Sequence, residues 1–140
     1  MAKVIIYQNS EGGASIVRQI NADKSIEDIA KKAVPDGTAY EIVEDSQVPT
    51  DRTFRTAWVK GSGVVTEDVT KSKVIAHGTR REKRSVEFKP HDDTISLNIP
   101  GTDTSAAETA RAAIRTKYAT MQTNIDNATN IAGIKTALGG

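Results

Sequence analysis

This 140-residue chain predicts an α+β fold in one domain spanning residues 1–140: a small N-terminal antiparallel sheet with a short helix, followed by C-terminal antiparallel helices. Three observations predict it. The first half holds short β-rich runs separated by glycine turns, whereas the second half repeats apolar residues at steps of three and four. Aromatic residues make up only 4% of the chain and cysteine is absent, so the core must come from Val, Ile, Leu and Ala without disulfides or thiolate zinc sites. The length is enough to bury such a core unaided.

Lys3 to Asn9, the turn Glu11-Gly12-Gly13 and Ala14 to Ile20 read as an opening β-hairpin. Ser25 followed by Asp28 is an N-cap with an acid three residues on, and Ile26, Ile29, Ala30 and Ala33 carry a short helix to Pro35. Asp36-Gly37 turns the chain into Thr38 to Val43, a strand expected to join the hairpin. Asp45 to Thr50 is a loop, Asp51 begins a capped turn bearing Phe54 and Trp58, and Gly61-Ser62-Gly63 reads as a flexible linker because the ending of a phosphate loop is missing. A long polar helix is expected from about Asp68 to Lys89, interrupted at Gly78 and stopped by Pro90, with one more helical or extended segment over Asp92 to Ile99. Ser105-Ala106-Ala107-Glu108 has the form of a capping box. Ala107, Ala110, Ile114, Tyr118, Met121, Ile125 and Ala128 then form the stripe of a helix of about six turns. Asn130 to Leu138 is expected to fold back as a cap.

Charge is unevenly placed in this chain of formal net charge +1. Lys71, Lys73, Arg80, Arg81, Lys83, Arg84 and Lys89 face only Glu82 and Glu87 in the same segment, which points to an anionic partner or, more plainly, to a solvated helix face. Arg111 and Arg115, four apart beside the apolar stripe, could grip a diphosphate or pair with Glu108. Phe88 supplies a ring for base stacking, worth roughly 1–3 kcal/mol per base, and Asn98 an amide suited to a purine edge. The alternative for Phe88 is to anchor its helix to the core. Catalysis is not expected. His77 and His91 are isolated, no nucleophile elbow is present, and the side chains of His91-Asp92-Asp93 diverge too widely to hold a metal; helix capping by Asp92 or Asp93 is the expectation there. No cofactor or metal is expected. The N-terminus shows no apolar leader, so neither export nor a membrane span is expected and the cytoplasm is the expected compartment.

Asp51-Arg52-Thr53-Phe54-Arg55-Thr56-Ala57-Trp58, preceded by Pro35-Asp36-Gly37-Thr38-Ala39-Tyr40-Glu41-Ile42-Val43, resembles a segment that recurs in small proteins of tailed bacteriophages. Taken with Phe88, Asn98 and Arg115, it is similar to the first-described Thoeris anti-defence sponge family. The resemblance implies a non-enzymatic protein of the host cytoplasm that sequesters a cyclic ADP-ribose isomer made by bacterial TIR-domain enzymes. It also implies dimers or hexamers. In this sequence it implies that Phe88 stacks on the adenine, Asn98 hydrogen-bonds the ligand and Arg115 holds the phosphates; Arg111 joins the candidate ligand residues by its spacing from Arg115 alone. Arg52 or Arg55 would serve a second site for cyclic oligonucleotides at a subunit interface. Two other expectations come from different classes: a virion or tail-associated structural protein, suggested by the same front segment and the alanine-rich helix, and a nucleic-acid binder using Lys71 to Lys89. Near-neutral total charge makes the last the weakest fit.

Overall fold

Val4, Ile5 and Ile6 are three consecutive apolar residues, and in a strand neighbours point to opposite faces, so the segment has to be covered on both sides. A computed structural model, describing residues 2–20 and 22–139, meets that demand. Strand β1 (Lys3–Gln8) is central, with β2 (Ala14–Arg18) and β3 (Tyr40–Glu44) antiparallel on either side in the order β2-β1-β3. Ile6 lies opposite Ile16, and Ile5 opposite both Val17 and Ile42. The Ile5 face packs on helix α1 (Ile26–Ala33) through Ala30 and Val34, while Val4 and Ile6 meet Ala14, Val48, Trp58 and Val65 on the other face. The β2 strand stops before Gln19 and Ile20 because Arg18 already pairs with Val4, near the start of β1; Ile20 is 98% exposed. Ser25 Oγ accepts from the Asp28 N–H at 3.2 Å, the cap expected from the sequence.

Several elements depart from the sequence reading. Gly61-Ser62-Gly63 is not a flexible linker: it turns a second antiparallel pair, β4 (Trp58–Lys60) and β5 (Val65–Glu67), closed by Gly61 N–H to Val64 O at 2.8 Å. Gly63, at φ +69, also donates its N–H to Glu41 Oε2 at 2.6 Å, and Lys60 Nζ donates to Glu41 Oε1 at 3.0 Å. Those two donors, Lys60 first, hold the Glu41 carboxyl below the usual carboxylate range. Strands of three residues are too brief for their alternation to stand out in a sequence.

Helix α2 (Val69–Leu97) runs through both Gly78 and Pro90. Proline removes one N–H and so leaves the carbonyl of Val86 without its helical donor. Val86 is 72% exposed, so water can reach that carbonyl, and the helix continues. It ends where Asn98 takes a left-handed φ of 45, followed by the Gly101 turn at φ +85. The segment from Asp92 onward is therefore the last part of α2, not a separate element. Helix α3 (Ser105–Asn127) is capped differently from expectation. Thr104 is the N-cap and makes no side-chain bond, Ser105 lies inside the helix, and Asp103 Oδ1 accepts the Ser105 N–H at 2.8 Å. The stripe buries Ala107, Tyr118 and Ile125. Helix α4 (Ile131–Ala137) begins with Asn130 Oδ1 accepting from Gly133 N–H at 2.8 Å, and it packs on α3 with Ile134 fully buried.

The chain divides into two compact units, Met1–Lys71 and Ser72–Gly140. Within the second, α2 and α3 pair antiparallel. Lys73 Nζ donates to Asp126 O (2.9 Å), His77 Nε2 meets Asp126 Oδ1 (2.7 Å), Glu87 meets Lys117 (2.7 Å) and Asp92 meets Arg111 (2.8 Å), so partners descend one helix as they climb the other. Among the described residues no helix is long and apolar enough to cross a membrane.

Candidate functional site

Phe88 sits half-buried on α2, with the guanidiniums of Arg84 and Arg111 at 6.0 and 5.9 Å from its ring centre. Arg111 is held in place: Asp92 Oδ1 lies 2.8 Å from its Nε, off the line of the N–H, and Glu108 accepts from its Nη1 at 3.3 Å. The expected pairing with Glu108 is thus present, and a second carboxylate joins it. Arg84 has no carboxylate partner among the described residues, and Arg115 is exposed. The helix register places Arg115 at the level of Phe88. Asn98 stands ten residues along from Phe88, about 15 Å at the helical rise. A small ligand must bridge most of that length or draw the two residues from different copies. The left-handed backbone of Asn98 also gives it a role in ending α2, since asparagine tolerates that conformation better than most residues.

The basic run is largely occupied within the second unit. Lys83 Nζ donates to Leu138 O (3.1 Å) and Lys89 pairs with Asp93 (2.8 Å), which holds the Lys89 ammonium above its usual value. Arg80 is only 6% exposed, and burial, with Arg81 and Arg84 adding to it, pushes its guanidinium down. Its Nε–H donates to His77 Nδ1 at 3.3 Å, which leaves the imidazole proton on Nε2 to be donated to Asp126. His77 is therefore not isolated. Asp92 and Asp93 lie inside α2 and cap nothing, contrary to expectation: Asp92 pairs with Arg111 of α3 and Asp93 with Lys89. A cavity of about 440 Å³ elsewhere in this unit is lined by Lys83, Val86, Glu87, Lys117, Tyr118 and Met121, with Leu138 and Gly139. Lys117 first, and then the Tyr118 hydroxyl, hold the Glu87 carboxyl below the usual range.

Arg52 and Arg55 both approach one indole in the first unit. Arg55 lies 4.4 Å from the Trp58 ring centre and Arg52 5.9 Å. Burial, with Arg52 adding to it, pushes the Arg55 guanidinium down. Arg55 also borders a cavity of about 300 Å³ walled by the hairpin turn (Asn9, Glu11, Gly13), by Ser15, Thr56 and Trp58, and by Lys71. Arg52 is not among its lining residues. The turn is set by Asn9, whose Oδ1 accepts the N–H of Glu11 (3.0 Å) and of Gly13 (2.9 Å). Trp58 is 1% exposed, yet its indole N–H has no partner among the described residues. A buried donor left in that state costs about 1–3 kcal/mol. In the sequence Trp58 reads only as a large group on a capped turn and Lys71 as one member of a charge run. Their juxtaposition depends on β4, which local patterning did not locate, and on the start of α2, which the sequence places within a residue of Val69.

Among the described residues, no group of three or more His, Cys, Asp or Glu side chains is placed to hold a metal ion. Compared with known proteins, the chain matches no family model, no curated protein and no solved structure.

Proposed function

We propose that this protein captures a small cyclic nucleotide, such as a cyclic ADP-ribose isomer, and holds it without chemistry, acting against a host defence that uses the molecule as a messenger. One observation carries the reading: the Phe88 ring has guanidiniums from both α2 and α3 beside it, and Arg115 stands at the same level of the helix pair. A ring with neighbouring cations suits a ligand that joins a base to a pyrophosphate, because stacking and charge-assisted bonds are then satisfied together. Arg84 is the member of the set without a carboxylate among the described residues, while two carboxylates lie against Arg111. In this reading Phe88 and Arg115 come together within one chain, and Asn98 is supplied across the length of the ligand or by a second copy. The protein then works as a homo-oligomer in the host cytoplasm.

The test is thermal unfolding with and without excess cyclic ADP-ribose isomer. A ligand that binds only the folded state at about 100 times its Kd stabilises by roughly 2.7 kcal/mol, and the ligand should be recovered intact by chromatography. Phe88→Ala and Arg115→Ala should remove the shift while each variant still unfolds cooperatively. Asn98→Gly keeps the left-handed backbone and deletes only the amide, so a lost shift in that variant assigns Asn98 to the ligand. An unchanged melting temperature at saturating ligand would overturn the proposal.

A virion-associated structural role is the second reading. Val74, Val86 and Leu97 favour it, standing 67%, 72% and 67% exposed along α2 as apolar groups available to an assembly partner. Recovery of the protein in purified particles, and not in the infected-cell cytosol, would favour this role over capture.

A further inference from the structure

We infer that the cavity between the first hairpin turn and Trp58 is an anion site that takes the phosphate group of a small ligand within a single chain. The donors around it are unspent. Arg55 has the Trp58 ring as its neighbour and no carboxylate among the described residues, and the Lys71 ammonium likewise has no carboxylate. The indole N–H of Trp58 is buried and unpartnered in a residue 1% exposed. The wall also holds the hydroxyls of Ser15 and Thr56. A planar guanidinium fork and an ammonium bordering one cavity suit a tetrahedral oxyanion, which offers acceptors in more directions than the two oxygens of a carboxylate. At about 300 Å³ the cavity accommodates a phosphate group with room for part of what carries it.

Glu11 is the one carboxylate among these lining residues, and its backbone is fixed by the bond to Asn9. An anion in the cavity is repelled by it. Glu11 therefore tunes the site toward weaker, reversible occupancy, and removing its charge should tighten binding.

Trp58 is the chain's single tryptophan, so its indole resonance and fluorescence report on this site alone. The full-length protein would be titrated with inorganic phosphate, adenosine monophosphate, acetate and chloride at matched ionic strength. The expected result is a saturable shift of the Trp58 indole N–H signal with the first two and not with the last two. Lys71→Gln and Arg55→Gln should each weaken it about ten-fold or more, whereas Glu11→Gln should strengthen it. Equal affinity for phosphate and the monophosphate assigns the site to a free oxyanion, and tighter monophosphate binding to an esterified one. A shift that fails to saturate, that acetate reproduces with equal affinity, or that survives Lys71→Gln at full strength overturns the inference. Phe88→Ala should leave this titration unchanged, so the result stands or falls apart from the capture proposed above.

Discussion

At the scale of single residues, the second unit places polar groups where burial and neighbours change their chemistry. The Tyr118 hydroxyl is pushed up to about 12, first by burial and then by the Glu87 carboxylate beside it. An unfolded tyrosine ionises near 10, so above that pH the unfolded chain gives up a proton that the folded chain retains. Stability contributed by Tyr118 is therefore complete below pH 10 and declines as pH rises from about 10 to about 12. Denaturant midpoints measured across that range should fall, and Tyr118→Phe should flatten the decline. A decline of equal slope in the variant would assign it to other groups. Phe88 was recognisable in the sequence as an unusual ring among cations, but the guanidinium that reaches it from α3 was not. That contact depends on the register of two helices, which spacing within one helix does not encode.

At the scale of elements, legibility followed the length of each pattern. The opening hairpin, the Ser25-capped helix, β3 and the helix over Ser105–Asn127 all carry several turns or alternations of signal, and each stands close to where it was expected. The second sheet, with three residues per strand, did not. One cap moved although its helix did not. Ser105 has the right neighbours for a capping box, but Asp103 reaches its N–H first and the helix begins one residue earlier in geometry than the motif suggests. Helix α2 overrode both of its sequence breakers. Gly78 lies in the helix with open space where a Cβ would stand, so Gly78→Ala should stabilise the protein by roughly 0.5–1 kcal/mol. Chemical denaturation would measure it, and a loss of stability would show that the glycine answers a contact instead of merely being tolerated.

At the scale of the whole molecule, each of the two units has its own source of order. In the first, β1 is hydrogen-bonded on both edges and covered on both faces, so its amides have no route to solvent short of opening the unit. Hydrogen exchange should be slowest at Ile5 and Ile6 within that unit, and faster at β4 and β5, whose pairing has only three residues on each side. Slower exchange in β4 would mean that Trp58, not β1, is the last part of this unit to open. In the second unit, Ala76, Ala107, Tyr118, Ile125 and Ile134 are buried, and the register of α2 against α3 is marked by rungs at Lys73 and His77, at Glu87 and at Asp92, each tied to a single residue opposite. A slip of one helical turn, about 5.4 Å, would part all of these contacts at once. Sliding is thereby opposed in this pair. A guest beside Phe88, as proposed, would then be admitted more readily by turning side chains than by shifting one helix along the other.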